Sequence, residues 1–374
     1  MTSSRRSRQG AGRPGARTAS GSARGIAKLF FVVLLAALVA GGVYVWQRYA
    51  GFAGTPLSGI DEGETLVVEP GDSLPIVIGK LRGVGVDTGH RVEWQALARE
   101  LGAAGRLQVG EYALRPGMSP RDLLTMLRDG RVVTRRFTIV EGWNIRELRA
   151  ALKRNDTLLQ ETAHLDDAAL MAKLGHPGQH PEGRFLPETY QYVRGDSDLD
   201  ILRRAHKAMA DALADAWERR APGNVLQTPH QALILASIVE KETGIADERP
   251  HIAGVFARRL KMGMRLQTDP TVIYGMGAAY TGNIRRADLL ADTPYNTYTR
   301  AGLPPTPIAM PGVDALRAAT QPAPGDALYF VAVGDGSGRH VFTRSLAEHQ
   351  VAVRAYVQRY RAQQRQRTRE AQAR

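Results

Sequence analysis

The sequence predicts an α+β protein with one membrane-spanning helix near its N-terminus, a small folded region after it and a larger α+β domain. Three observations support this organisation. An uncharged run extends from Leu29 to Trp46, strand-like and helical patterns alternate from residue 64 onward, and glycines at 334–338 separate two strand-like runs near the end. With 374 residues, of which 43% are hydrophobic and 23% charged, the chain can form one sizeable core and a smaller module.

The uncharged run is long enough to cross most of a bilayer, so we assign residues 29–49 to a transmembrane helix. Residues 1–28 hold seven basic side chains and no acid, and Tyr44, Trp46 and Tyr49 lie where an aromatic belt meets the far interface. The positive-inside rule therefore predicts a cytoplasmic tail and places the rest of the chain outside. A cleaved signal peptide is the alternative because small residues follow the run, but signal sequences have shorter apolar runs of about 7–15 residues.

The net charge of +13 resides at the two ends of the chain. The tail at 1–28 and a basic segment at 354–374 account for all of it, and the residues between them sum to zero formal charge. A nucleic-acid groove needs a basic stripe on the folded part, so we predict no nucleic-acid partner. The segment at 354–374 begins with a helical pattern and then has the composition of a disordered tail, rich in glutamine and arginine.

The residues that commonly bind metals are too few or too scattered to form a site. The chain has no cysteine, so a disulfide, a thiolate nucleophile and a sulfur-ligated metal are excluded. Of the nine histidines only His176 and His180 are four residues apart, and Pro177 and Gly178 interrupt any helical face that they could share. We predict neither a metal nor a cofactor.

Between the membrane helix and the larger domain, the pattern predicts a linker and a small subdomain. Residues 50–63 are glycine-rich and are expected to hold the folded part away from the lipid. Residues 64–134 contain a strand-like run at 65–69, the turn PGD, two helical patterns and a second strand-like run at 107–114. A helix then follows Ser119 and Pro120.

The larger domain, residues 135–353, contains the most informative helix of the chain. Ala232 to Thr243 (ALILASIVEKET) is apolar almost all round, with an N-cap at Thr228 and a stop at Gly244. A helix of this kind is usually buried, so Glu240 near its end is expected to be desolvated, with a pKa raised toward that of a proton donor. The alternative is an exposed helix end with Glu240 solvated or paired to a cation.

Glycosidases usually use two carboxyl groups, and the chain offers Glu242 and Asp269 as the second. Glu242 lies two residues after Glu240, about 200° around the helix, so the two acids are not expected to share a site. Asp269 lies in a polar loop and could orient Gln267, Thr271 or a substrate. Its alternative role is a local turn bond before Pro270.

Polar and aromatic side chains are concentrated on three proline-containing loops after this helix. Such side chains bind sugars by hydrogen bonds and ring stacking. Together with SIVEKET at 237–243 and the pattern EG-F-P-TY at 182–190, these loops resemble the endolytic murein transglycosylase family (MltG, YceG-like). The loops are RLQTDPTVIYG (265–275), TPYNTY (293–298) and GLPPTPI (302–308).

The resemblance implies a lytic transglycosylase, an enzyme that cuts peptidoglycan strands internally without water. In such enzymes one glutamic acid protonates the oxygen between N-acetylmuramic acid and N-acetylglucosamine. It then assists the 6-hydroxyl of the muramic sugar in closing on C1, which leaves a 1,6-anhydro end. By position in the motif the catalytic residue is Glu240, and the residues expected to bind substrate are Gln267, Asp269, Tyr295, Asn296 and Tyr298.

The resemblance also implies a setting and partners. Residues 64–134 look like the LysM-like subdomain of the same family, which suggests glycan contact; a compact spacer that binds nothing is the alternative. The expected location is the bacterial inner membrane, with the catalytic domain in the periplasm and peptidoglycan synthases as partners. Two other functions stay open: a muramidase that admits water to C1, and a non-catalytic scaffold that only binds glycan.

Overall fold

The computed structural model describes residues 21–372, so the basic residues 5–17 of the predicted cytoplasmic tail lie outside the described part. The chain divides into two compact units, Met1–Val132 and Val133–Arg374. Both mix helices with short antiparallel strand pairs. The predicted α+β class is therefore confirmed.

Helix α1, Gly21–Gly54, contains the predicted membrane span. The most apolar 18 residues of its stretch Ala27–Gly54 have a mean hydropathy of 2.5, and the stretch is long and apolar enough to cross a bilayer. Its last turn differs from the prediction, because Phe52 and Ala53 are buried in the core of the first unit together with Leu57 and Ile60. Residues 50–63 are thus not a free spacer, since the apolar side chains scattered among the glycines pack into that core.

After α1, the first unit contains two strands and three helices: β1 Thr65–Val68, α2 Leu74–Gly83, α3 Arg91–Glu100, β2 Gly110–Ala113 and α4 Pro120–Asp129. The strands pair antiparallel, with Thr65 opposite Ala113. Helix α4 begins with a capping box between Ser119 and Asp122, and it ends at Gly130, whose φ of 67° suits glycine. Its leucines complete a core built around Trp94, Tyr112 and the two strands.

The second unit contains the helix with the two glutamates. Strand β3 (Thr134–Thr138) pairs antiparallel with β4 (Thr189–Val193), and β5 (Tyr329–Ala332) pairs with β6 (His340–Thr343) in the hairpin that the sequence predicts. The helices are α5 Ile145–Lys153, α6 Asp167–Lys173, α7 Asp198–Glu218, α8 Pro229–Glu242, α9 Arg249–Lys261, α10 Asp269–Met276, α11 Arg286–Leu290, α12 Val313–Thr320 and α13 Leu346–Gln372, with a 3-10 turn at Gly277–Ala279.

Helix α8 is the central element of this unit. Every residue from Ala232 to Val239 is buried, and α7, α9, α10 and α12 pack around the helix. The predicted N-cap is present, because the hydroxyl of Thr228 accepts a hydrogen bond from the backbone N–H of Gln231. The helix ends at Glu242, so both acids lie in its last turn, at the edge of the core.

The C-terminal segment differs from the prediction of disorder. Helix α13 continues to Gln372, and its first half packs against β5 and β6. Arg359 donates to the carbonyl of Val333 and Gln363 to that of Gly334. Arginine, glutamine and alanine are strong helix formers. A segment rich in them can therefore continue the helix whose first half packs against the β5–β6 hairpin, although the same composition is typical of a disordered tail.

Candidate active site

The two glutamates at the end of α8 point into different surroundings, as their spacing predicts. Successive residues of a helix are about 100° apart, so Glu240 and Glu242 cannot face the same groove. Glu240 contacts Arg249 of α9 and Gly312 just before α12, whereas Glu242 faces the loop that precedes α10.

Glu240 is buried, with 5% of its side chain exposed. Its Oε2 accepts a hydrogen bond from the backbone N–H of Gly312 at 3.0 Å, and its Oε1 lies 3.7 Å from the guanidinium of Arg249. Burial raises the pKa of Glu240, whereas the Gly312 bond and Arg249 oppose that shift. The desolvation predicted from the apolar helix is thus observed, but together with a fixed hydrogen-bond donor and a cation.

Arg249 is the centre of a cluster of acids on this side of α8. Its side chain is 10% exposed and also lies 3.7 Å from Glu141 and 3.8 Å from Asp314. Gly312 packs closely against this cluster: a Cβ there would lie 2.1 Å from a carboxylate oxygen of Glu141, so the flexible Glu141 side chain would have to move. One guanidinium thereby connects α8, α9, α12 and the loop before α5, which is an arrangement that holds elements together.

Glu242 lines a cavity of about 450 Å³, and three of the predicted substrate-binding residues, Gln267, Asp269 and Tyr298, line it too. Burial raises the pKa of Glu242 to about 7, although a hydrogen bond from the hydroxyl of Thr268 acts in the opposite direction. The nearby Asp269 raises the pKa further. An acid that is half-protonated at neutral pH and open to a cavity is suited to proton transfer.

A set of threonines fixes the loop that carries these residues. The backbone N–H of Thr268 donates to the hydroxyl of Thr297 at 3.1 Å, and the hydroxyls of Thr271 and Thr297 are 2.9 Å apart. Thr271 also donates to the carbonyl of Thr268 at 2.8 Å. All three side chains are buried. The RLQTDP and YNTY motifs are therefore held together as one structure, with the Thr268 hydroxyl directed at Glu242.

Gln267 has an unusual backbone for a residue with a side chain. Its φ is 52°, in the left-handed region that favours glycine, and among the described residues no other non-glycine residue has a positive φ. Its N–H donates to the carbonyl of Thr297 at 3.1 Å, and its side chain is exposed toward the cavity. Strain of this kind concentrates at functional sites, and here it holds an amide at the cavity wall.

Tyr329, His349 and Arg259 complete the walls of the cavity, and the sequence did not predict them as site residues. The hydroxyl of Tyr298 donates to Asp269 at 2.6 Å on one side, and Tyr329 from β5 stacks on His349 from α13 on the other. Arg259 lies behind them and donates to the carbonyls of Leu266 and Leu328. A mixed wall of rings, amides and hydroxyls fits a sugar.

The cavity and both glutamates lie within one region of sequence similarity. The pattern that defines the YceG-like family matches residues 66–355. The chain belongs to the YceG-like family. The predicted family is confirmed, and the matched region includes all the predicted site residues of this YceG-like chain.

Relatives of this YceG-like protein carry a functional name. A protein of Bacillus subtilis (strain 168) named endolytic murein transglycosylase is 32% identical over 281 residues, which cover 71% of this chain and 77% of that protein. A protein of the same name from Streptococcus pneumoniae serotype 2 is 28% identical over 284 residues. The match covers 65% of this chain and only 51% of the streptococcal protein. A crystal structure of a yceG-like protein from Listeria monocytogenes aligns at 28% identity with a TM-score of 0.49, over 77% of this chain and 98% of that one.

Two of the predicted substrate-binding residues organise the loops of this YceG-like domain and do not line the cavity. Asn296 is 1% exposed, and its amide donates to the carbonyls of Asp288, Leu289 and Ala291. The hydroxyl of Tyr295 lies 2.8 Å from that of Thr306. A buried amide is retained where it satisfies backbone carbonyls, so the role of Asn296 is to shape the loop that presents Tyr298.

Proposed function

We propose that this protein is an endolytic murein transglycosylase that cleaves the β-1,4 bond between N-acetylmuramic acid and N-acetylglucosamine within peptidoglycan strands. The observation that carries the proposal is a carboxyl group with a pKa of about 7 in the wall of a sugar-sized cavity, on a chain whose relatives bear that name. The non-hydrolytic route is part of the proposal, since a single acid suffices for it.

We further propose that Glu242, and not Glu240, is the catalytic residue. The carboxyl of Glu242 reaches the cavity shared with Gln267, Asp269 and Tyr298, whereas both oxygens of Glu240 face protein groups that hold it in place. The sequence favours Glu240 because of its position in the SIVEKET motif and its expected burial at the end of the apolar helix. Glu240 remains the catalytic residue that the sequence predicts, and isosteric variants of the two acids compare them directly.

The steps require one proton and no second carboxylate. Protonated Glu242 donates its proton to the bridging oxygen while the bond between that oxygen and C1 of the muramic sugar breaks. The oxygen leaves as the 4-hydroxyl of N-acetylglucosamine. The 6-hydroxyl of the muramic sugar then bonds to C1 and gives its proton to Glu242, which restores the acid. In this proposal Gln267, Asp269 and Tyr298, which line the same cavity, hold the sugar during both steps.

Two isosteric variants, Glu242→Gln and Glu240→Gln, test the assignment. We expect Glu242→Gln to reduce cleavage of purified glycan strands by at least about 10²-fold, as loss of general acid–base catalysis does. Glu240→Gln should keep most of the activity, because the charge that it removes belongs to the Arg249 cluster and not to the cavity of Glu242. The reverse result would identify Glu240 as the acid, and near-normal rates for both variants would refute the mechanism.

Mass spectrometry of the products separates the open alternatives. A 1,6-anhydro end is one water lighter than a reducing end, so a reducing end would indicate a muramidase. Binding of glycan without any cleavage by the wild-type protein would indicate a scaffold. The same digest shows whether cuts are internal, because endolytic action shortens all strands instead of releasing disaccharides.

The proposed setting is the bacterial inner membrane, with α1 as a single span, the N-terminus in the cytoplasm and the rest in the periplasm. The apolar, exposed surface of α1 supports this placement. The strand, helix, helix, strand order of the first unit supports a LysM-like subdomain that contacts the same glycan. Protease protection of the N-terminus in spheroplasts tests the orientation. Crosslinking to peptidoglycan synthases tests the proposed partners.

A further inference from the structure

A second cavity, of about 560 Å³, lies beside the first residues of α10. We name it the basic cavity, because Arg146 and Lys241 line it. Lys241 immediately precedes Glu242 in α8, and Pro270 in its wall immediately follows Asp269. The two cavities are therefore neighbours, with the last turn of α8 and the start of α10 between them.

Neither cation of the basic cavity is in an ion pair with a described residue, although Arg146 interacts electrostatically with Glu182 and Lys241 with Glu240 at longer range. Arg146 lies over the ring of Tyr274, with 5.5 Å from its guanidinium carbon to the ring centre, and Lys241 donates to the carbonyl of Gly142 at 3.1 Å. No ion pair involving either side chain occurs among residues 21–372 of the structure. Both side chains are exposed. Their charges are available to a ligand, in contrast to that of the buried Arg249.

The two acids near the basic cavity are already engaged. Glu147 accepts a hydrogen bond from the backbone N–H of Asn144 at 2.8 Å as part of the cap of α5. Glu182 is fully buried and accepts the N–H of Ile145, and burial raises its pKa to about 7, which reduces its charge at neutral pH. The charged side chains that line the cavity are two cations, Arg146 and Lys241, and one carboxylate, Glu147, so the lining is positive by one charge and suited to an anion.

We propose that the basic cavity binds the carboxylate-bearing peptide stem of the muramic acid residue whose bond is cleaved at Glu242. This inference rests on the proposed function. In peptidoglycan the muramic sugar carries a lactyl ether at O3, and the attached peptide ends in carboxylates. The substituent of a sugar bound at Glu242 would pass the boundary that Lys241 and Pro270 share with Glu242 and Asp269, and on its other side Arg146 and Lys241 meet its charge.

The test compares two substrates: glycan strands with peptides, and the same strands after an amidase has removed the peptides and left a lactyl carboxylate on each muramic sugar. Arg146→Gln should lower kcat/KM about tenfold on the peptide-bearing strands, as loss of a partly exposed charge-assisted hydrogen bond does, and less than about twofold on stripped strands. Lys241→Gln should show the same selectivity. Arg154→Gln, at the other end of α5 and outside the cavity, is the matched control and should leave both rates unchanged.

The possible outcomes separate this inference from the proposed function. Equal losses on both substrates would assign Arg146 a structural role and overturn the inference, as would equal rates for wild type and both variants on peptide-bearing strands. If the wild-type protein cleaves neither substrate, the proposed function itself fails. Melting temperatures of the variants within a few degrees of wild type confirm that selectivity, and not misfolding, is being measured.

Discussion

Replacing Thr268 with valine tests the assignment of the acid through its pKa. The variant removes the hydroxyl that donates to Glu242 and retains a side chain of similar shape. That hydrogen bond favours the ionised carboxylate, so its loss raises the pKa of Glu242 above about 7. A hydrogen bond to a charged group contributes about 1.5–3 kcal/mol, and one pKa unit corresponds to about 1.4 kcal/mol. Cavity water replaces part of the bond, and we therefore expect a rise of about one unit.

The assay is the pH dependence of kcat/KM on soluble glycan strands. Because the acid must be protonated, activity falls as the pH rises through its pKa, and the basic limb should move from near pH 7 to near pH 8 in Thr268→Val. Thr138→Val is the control, since its hydroxyl contacts only that of Thr189, between β3 and β4. A limb that stays in place, or that moves to lower pH, would refute the assignment of Glu242.

Three further predictions concern stability. Because the pKa of Glu242 is raised in the folded state, wild-type stability falls as the pH rises from 4.5 to 7. In urea denaturation, Glu242→Gln should therefore be about 3 kcal/mol more stable than wild type at pH 8 and equal to it near pH 4.5. Equal stability at both pH values contradicts this prediction. Gln267→Gly should be about 1 kcal/mol more stable than Gln267→Ala, because only glycine relieves the positive φ, and the reverse order contradicts the strain. Arg249→Met leaves the buried Glu240 carboxylate without its cation and should lower the free energy of unfolding by about 3 kcal/mol at pH 7. Adding Glu240→Gln removes that carboxylate and should recover part of the loss. No recovery would show that the two side chains are not coupled.

Much of the local structure follows from neighbouring residues and was predictable. The cap at Thr228, the helix behind it, the hairpin at 329–343 and the apolar span of α1 depend on periodicity, turn glycines and capping side chains within a few positions. The C-terminal helix was predictable only in part, because arginine and glutamine fit both a solvated helix and a disordered segment. The burial of Phe52 and Leu57 depends on strands and helices distant in the sequence, so the glycine-rich composition of residues 50–63 did not predict it.

The sequence alone determined the family, the α+β class and the fact that a buried apolar helix ends in two glutamates. It did not determine which of them faces the cavity lined by Gln267, Asp269 and Tyr298. A helix that is apolar on all sides gives no direction to its last turn, since every face is equally suited to burial. Only tertiary packing decides: α9 and α12 enclose Glu240 with Arg249, whereas the strained loop at Gln267, strand β5 and helix α13 leave a cavity in front of Glu242.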